Sequence, residues 1–150
     1  MIKIVPLEER YLKEITNIHL QALKNDFLPS LGKDFLLTLY EGVVNKNNVF
    51  GFTALDREKA VGFVIGTKNM KIYFSSSLKT NFFKLSFYLS LRLLQKPSLI
   101  KNVIETFSYS SKDVGPSAEL VVIAVLKKYQ NKGIGRLLVD VLEKKFRSEK

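Results

Sequence analysis

The stretch that most constrains the fold lies near the end of the chain, where the apolar run "SAELVVIAVL" gives way to "YQNKGIG" and then to "RLLVDVLEKKF". The run is too continuously apolar for a half-exposed strand, so it predicts a central strand covered on both faces. Beyond the glycines, Ile134, Leu137, Leu138, Val141 and Leu142 fall on one face of a helix that runs to the terminus. A strand that ends in a glycine turn and opens into a helix leaves several backbone N–H groups unpaired and pointing the same way. The helix dipole adds partial positive charge at that point. Glycine at 133 and 135 lets an anion approach the main chain with no Cβ in the way. Lys132 and Arg136 flank the turn, and the expected occupant is a phosphate or pyrophosphate.

The rest of the chain supplies a scaffold for such a site. "IKIV" predicts a short first strand, and after Pro6 the residues Leu12, Ile15, Ile18, Ala22 and Leu23 recur at helical spacing. "FLPSLG" breaks that helix, and Phe35, Leu36, Leu39, Tyr40 and Val43 mark a second one. "VFGFTAL", "DREK" and "AVGFVIGT" predict an antiparallel hairpin of two β-rich runs around a polar turn. From "MKIYFSSS" to "SYSSKD" the chain predicts an insertion between strands, with helices over "NFFKLSFYLSLRLLQ" and "SLIKNVIETF" separated by Pro97. Neither an internal repeat nor a low-complexity linker is present. The order predicts a mixed α/β layer fold in a single domain over residues 1–150.

Composition narrows the function classes. The chain has no cysteine, which excludes disulfides, thiolate zinc sites and cysteine nucleophiles. It fits a cytoplasmic protein, with no signal-peptide pattern at "MIKIVPLEER" and no apolar stretch near the ~20 residues that span a bilayer. The formal charge is +10, from 24 Lys plus Arg against 14 Asp plus Glu. From Lys59 to Lys101 there is no acidic residue at all. Such a balance raises nucleic acid, membrane surfaces and anionic small molecules as partners.

Two phosphate motifs fail against the glycine turn. The P-loop needs G-x-x-x-x-G-K-[ST], and the dinucleotide fingerprint needs a third glycine after an early strand. What is present is Q-x-x-G-x-G, Gln130 to Gly135, entered from "AELVVIAV". On that motif and the order of elements before it, the sequence resembles the GNAT superfamily of acyl-CoA-dependent N-acetyltransferases from Met1 to about Phe146. The resemblance implies a mostly antiparallel central sheet flanked by helices, with a helical insertion before the fourth strand. It implies acetyl-CoA as cosubstrate, no metal, and a pyrophosphate held by Gln130, Asn131, Lys132, Gly133, Ile134, Gly135 and Arg136. The pantetheine arm would meet the main-chain amides of Ile123 and Val125.

The reaction sets its own demands. An amine attacks a thioester as the free base, yet a lysine-like amine with a pKa of about 10.4 is almost wholly protonated at neutral pH. With no cysteine and one histidine, candidates for the base are few. Glu119 opens the buried strand, where burial would raise a carboxyl pKa toward the useful range. It stands eleven positions before Gln130, as does the glutamate that some protein-acetylating members of the family use as general base. A strand-end carboxylate paired with a neighbouring lysine is the competing reading. The oxyanion of the tetrahedral intermediate needs a donor, which a strand N–H freed by a bulge can supply; by resemblance this is Ile123. The departing thiolate benefits from a proton donor, but no residue matches the family's tyrosine, which lies on a later helix. The resemblance thus implies a fold cut short after the third main helix, which would leave the strand "LVVIAV" at a sheet edge. Further sequence, a second subunit in a homo-oligomer, or descent to a reduced relative would each account for that.

His19 sits at the border of the first helix's apolar stripe and is expected to be a satisfied structural histidine. Phe82, Phe83, Phe87 and Tyr88 recur at helical spacing and are expected in the core, or else lining an acceptor pocket. Tyr109 and Tyr129 are the other conceivable acids, though neither lies where the resemblance places one. The expected function is transfer of acetyl to a primary amine of a small molecule, with an amino sugar suggested by the first half of the chain. A peptide or protein amine is the alternative acceptor, and a non-catalytic CoA-binding protein the alternative role. A third reading lays the segment from Lys79 to Lys101 on an anionic membrane or on nucleic acid. Its apolar residues are expected to be too numerous for an exposed face, and no nucleic-acid partner is expected.

Overall fold

The computed structural model describes residues 1–44, 46–110 and 119–149, with the side chains of 107, 109 and 110 outside the description. The start of the apolar run, Ser117 and Ala118, and the side chain of Tyr109 therefore lie outside the described residues.

Four strands form one antiparallel sheet in the order β1 (Ile2–Pro6), β2 (Val49–Asp56), β3 (Lys59–Thr67), β4 (Glu119–Val125). Between β1 and β2 run α1 (Leu12–Ala22), the one-turn α2 (Phe27–Ser30) and α3 (Lys33–Glu41). The turn α2 occupies "FLPS", where only a break is expected from the sequence. The insertion between β3 and β4 is α4 (Met70–Thr80), α5 (Phe82–Gln95) and α6 (Ile100–Ser110), with a 3-10 turn at Pro97–Leu99 separating the last two. Asn69 starts α4 by accepting a hydrogen bond from the Ile72 N–H through its side chain, 3.0 Å. The last helix is α7 (Ile134–Ser148).

The hairpin is tighter than "DREK" suggests. Asp56 and Lys59 pair directly, and only Arg57 and Glu58 turn, at φ +47° and +66°. Two central residues with positive φ give the turn whose twist matches its strands, here made without asparagine or glycine.

Alternation along β3 divides the core into two layers. Phe63 and Ile65 point to the side of α1 and α3, where Ile15, Leu36 and Tyr40 are also buried, and Val64 points to α7 with Ile134, Leu138 and Leu142. The α7 stripe is narrower than its sequence predicts, since Leu137 lies at the stripe's margin and is 47% exposed. Gly66 brings β3, β4 and α7 together: a Cβ there would lie 2.8 Å from Phe146 Cζ, 2.9 Å from Leu142 Cδ2 and 3.0 Å from the Glu119 carbonyl oxygen.

Two expectations are corrected. β4 has helices toward both faces but pairs only with β3 among the described residues, so it is not central, and apart from buried Ala124 and exposed Leu120 its residues are half-buried. Phe82, Phe83 and Phe87 are not core residues; they are 59%, 87% and 59% exposed. The core-facing stripe of α5 is instead Leu85, Tyr88, Leu89 and Leu93.

Candidate active site

The junction of β4 and α7 is a stack of short devices. After β4, a 3-10 turn at Lys127–Tyr129 is closed by Tyr129 N–H donating to Leu126 O at 2.8 Å, and Gln130 N–H donates to Lys127 O at 3.2 Å. Asn131 and Gly133 then take left-handed conformations, φ +60° and +77°, reversing the chain into α7. Gly133 caps α7 with no side-chain hydrogen bond, and the first bond of the helix runs from Leu137 N–H to Gly133 O, 3.0 Å. Among the described residues, the amides from Asn131 to Arg136 have no backbone partner. A Cβ at Gly133 or Gly135 would meet nothing within 4 Å. Among the described residues these amides thus lack a backbone acceptor, and the two glycines leave the space beside them clear. The Ile134 side chain is buried, which leaves only its main chain at the turn.

Gln130 has a different task from its neighbours. Its side-chain amide donates to the Val125 carbonyl at 2.9 Å, tying the loop to the end of β4. Lys132 and Arg136 are exposed beside the turn, and the Lys132 ammonium lies 5.5 Å from the centre of the Tyr129 ring. Tyr129 donates its hydroxyl proton to Asp56 at 2.9 Å, and that hydrogen bond holds its phenol above the usual range. It is thus engaged away from the open edge of β4.

That edge follows from register. Leu126 N–H donates to Val61 O at 2.9 Å, so by the alternation of an antiparallel ladder Ala124 also faces β3. The main-chain groups of Ile123 and Val125 point the other way, to the edge that carries no strand among the described residues. Gln130 reaching the Val125 carbonyl agrees with this direction. Nearer its start, β4 carries a bulge. Ile65 pairs with Val122 and Gly66 with Leu120, leaving Val121 as the extra residue. The side chains of Val121 and Val122 both pack on the α1 and α3 side.

Glu119 is half-buried at the far end of β4 from the glycine turn. With seven residues in the strand, the two ends lie about 20 Å apart at the usual rise. Leu120 pairs with Gly66, whose missing Cβ would face α7, so Glu119, paired with Thr67, faces the opposite side. It shares that side with a cavity of about 270 Å³ lined by His19, Asp26, Tyr40, Tyr73, Val121 and Val122 among others.

This cavity holds the polar groups that sequence reasoning did not bring together. His19 Nδ1 and the Tyr40 hydroxyl are joined by a 2.5 Å hydrogen bond, both side chains are buried, and Phe63 stands edge-on to Tyr40. Burial lowers the His19 pKa below its ordinary value, with the Asp26 carboxylate opposing the shift. Burial pushes the phenols of Tyr40 and Tyr73 well up. His19 is a satisfied structural histidine, as expected, and it also lines the cavity at the bulge of β4. Twenty-one residues separate it from Tyr40, so nothing local in the sequence signals the pair. Among the described residues no group of three metal-capable side chains converges.

An antiparallel sheet whose last strand opens through a glycine turn into a helix offers main-chain donors and a helix dipole to an anion. The chain belongs to the acetyltransferase (GNAT) family, whose model matches residues 12–150. No protein of curated function matches the sequence significantly. Solved structures share the fold at low identity. An aminoglycoside N-acetyltransferase, AAC(6')-Iy, solved with CoA, superposes with a TM-score of 0.61 at 14% identity, over 99% of this chain and 71% of that one. A ribosomal-protein-alanine N-acetyltransferase from Brucella melitensis biovar Abortus 2308 gives 0.51 at 18% identity, over 99% and 73%. A polyamine N-acetyltransferase from Drosophila melanogaster gives 0.51 at 15%, over 99% and 71%.

Proposed function

We propose that this chain moves acetyl from acetyl-CoA to a primary amine of a small molecule, an amino sugar being the favoured acceptor. The observation that carries the reading is the turn from Asn131 to Arg136, where, among the described residues, consecutive main-chain amides have no backbone partner at the start of a fifteen-residue helix, and a Cβ at Gly133 or Gly135 would meet nothing within 4 Å. Such a turn receives a diphosphate through backbone donors and the helix dipole, with Lys132 and Arg136 adding charge. The outward amides of Ile123 and Val125 would then hold the arm along the free edge of β4. The thioester would lie toward the bulge.

In this reading the acceptor enters the cavity between α1, α2 and the bulge of β4. Asp26 supplies a negative charge there for a cationic amine, and the aromatic walls suit a ring. Glu119, on the same side of the sheet, takes the proton from the ammonium. The freed nitrogen forms its bond to the thioester carbonyl carbon, and the Ile123 N–H steadies the resulting oxyanion. Collapse breaks the carbon–sulfur bond, the product amide loses its second proton, and the thiolate leaves to be protonated. The structural neighbours act on acceptors as different as aminoglycosides, a protein alanine and polyamines, so the acceptor has to be read from this chain's own cavity. The test is calorimetry with acetyl-CoA followed by thiol release against a panel of amino sugars, polyamines and peptides. Absence of CoA binding would end the reading; binding without thiol release on any amine would turn it into a CoA-binding protein without catalysis.

A further inference from the structure

The insertion carries a surface that the transferase site does not use. In α5, Phe83, Phe87, Leu91 and Leu94 recur at intervals of four, four and three, which stacks them on one stripe of the helix. They are 87%, 59%, 43% and 81% exposed, while Leu85 on the opposite side is buried. The helix is therefore apolar twice over, once toward the core and once toward solvent. On α6, Ile100 and Ile104 are also exposed, one turn apart, at 55% and 60%. An apolar stripe of this length on a folded surface marks an interaction site.

Its electrostatic surroundings restrict what fits. No acidic residue occurs from Lys59 to Ile104, and Lys79, Lys84, Lys96 and Lys101 are all exposed along the insertion. Among the described residues Lys84 and Lys96 make no ion pair, and Lys101 has a loose one with Glu105 at 3.9 Å. Arg92 differs, because its Nε donates to the Ser30 carbonyl at 2.6 Å and so braces α5 against α2. A second copy of the chain would set these lysines against their own kind, on a molecule already at +10. A single-stranded nucleic acid would answer the lysines and stack on the phenylalanines, yet leave Leu91, Leu94, Ile100 and Ile104 with nothing to bind. An anionic bilayer surface meets both needs: acyl chains just below the headgroups receive the stripe, and the headgroups receive the lysines.

We propose that the insertion docks this protein onto anionic membrane surfaces, with α5 lying in the interface. Among the described residues no helix is long and apolar enough to cross a bilayer. The proposal stands independently of the transferase reading.

The experiment is flotation of the whole chain with vesicles of phosphatidylcholine alone and of phosphatidylcholine with one part in three phosphatidylglycerol, at low and high salt. The expected result is binding to the anionic vesicles only, weakened by salt. Phe83→Ser with Phe87→Ser should lower it roughly tenfold or more, since each change removes an inserted ring. Lys84→Glu with Lys96→Glu should lower it by a similar factor and flatten the salt dependence. Both variants alter exposed side chains, so unchanged melting temperatures are expected to accompany the loss. No flotation with anionic vesicles, or flotation indifferent to both pairs of substitutions, overturns the proposal. So does a dimer in sedimentation that the phenylalanine pair dissolves, or binding to single-stranded RNA in preference to vesicles.

Discussion

The two ends of β4 are built on opposite plans. At its C-terminal end the chain strips side chains away: Gly133 and Gly135 leave open space where a Cβ would stand, and the nearby charges of Lys132 and Arg136 are exposed. At its N-terminal end the chain adds side chains: a bulge turns Val121 and Val122 to one face, where His19, Tyr40 and Tyr73 close over them. One end suits a partner bound through the main chain, which every sequence has, and needs only the absence of obstruction. The other depends on side chains from three separate helices. The contrast explains why the first is written in six consecutive residues and the second is scattered.

The sharpest way to break the contrast is to put a side chain where the chain has removed one. Gly133→Asp adds a carboxylate at the proposed anion site and should cost about 3 kcal/mol of CoA binding, roughly 100-fold, by losing charge-assisted hydrogen bonds. The melting temperature should move little, because the space around Gly133 is empty and aspartate tolerates the left-handed conformation better than most residues. Calorimetry decides; undiminished affinity would remove the diphosphate from this turn. Next in size, Glu119→Gln should lower turnover at neutral pH about 100-fold while leaving CoA affinity intact, the low end for loss of a general base. The deficit should shrink at alkaline pH, where more of the amine is already free. A pH profile parallel to that of the parent protein would take the base away from Glu119.

The seam between the two ends can be tested through Gly66. Its missing Cβ lets Leu142, Phe146 and the Glu119 main chain close on one point, so Gly66→Ala should destabilise the fold by about 1–3 kcal/mol through overpacking. Denaturant unfolding would read this directly. A neutral substitution would mean that α7 yields easily against the sheet, and that the glycine turn it begins with is not rigidly placed. Tyr40→Phe acts on the other face alone. It strands His19 without its buried partner and should cost about 1–3 kcal/mol, with CoA affinity unchanged.

How much of this was legible divides along the same line. The strand, the glycine turn and α7 follow from local rules, because continuous apolar character, φ-permissive residues and helical spacing are each decided within a few positions. The bulge at Val121 leaves no trace, since Leu120 to Val125 are all apolar and no alternation exists for an extra residue to interrupt. The His19–Tyr40 pair needs α1 packed on α3 before it exists at all. In α5 the helical period was readable but its direction was not. Two apolar stripes share that helix, and only the docking of Leu85 and Leu93 against the body decides that Phe83 and Phe87 face out.

The smallest predicted effect is a slope, and it probes whether the side-chain end of β4 is as closed as its geometry implies. His19 is buried, and burial holds its folded pKa below the unfolded value of about 6.5 despite the opposing Asp26 charge. Between those two values the unfolded chain binds more protons than the folded one, so stability rises with pH across the window. Above about pH 6.5 the neutral imidazole is common to both states and the contribution is fully present. As pH falls through the window it is lost, at no more than about 1.4 kcal/mol per pH unit for one proton. His19→Gln should remove that part of the slope and leave the rest, so the difference in melting temperature between variant and parent should narrow on acidification. If the two curves run parallel through this range, His19 exchanges protons with solvent as freely folded as unfolded, and the cavity beside β4 is an open cleft.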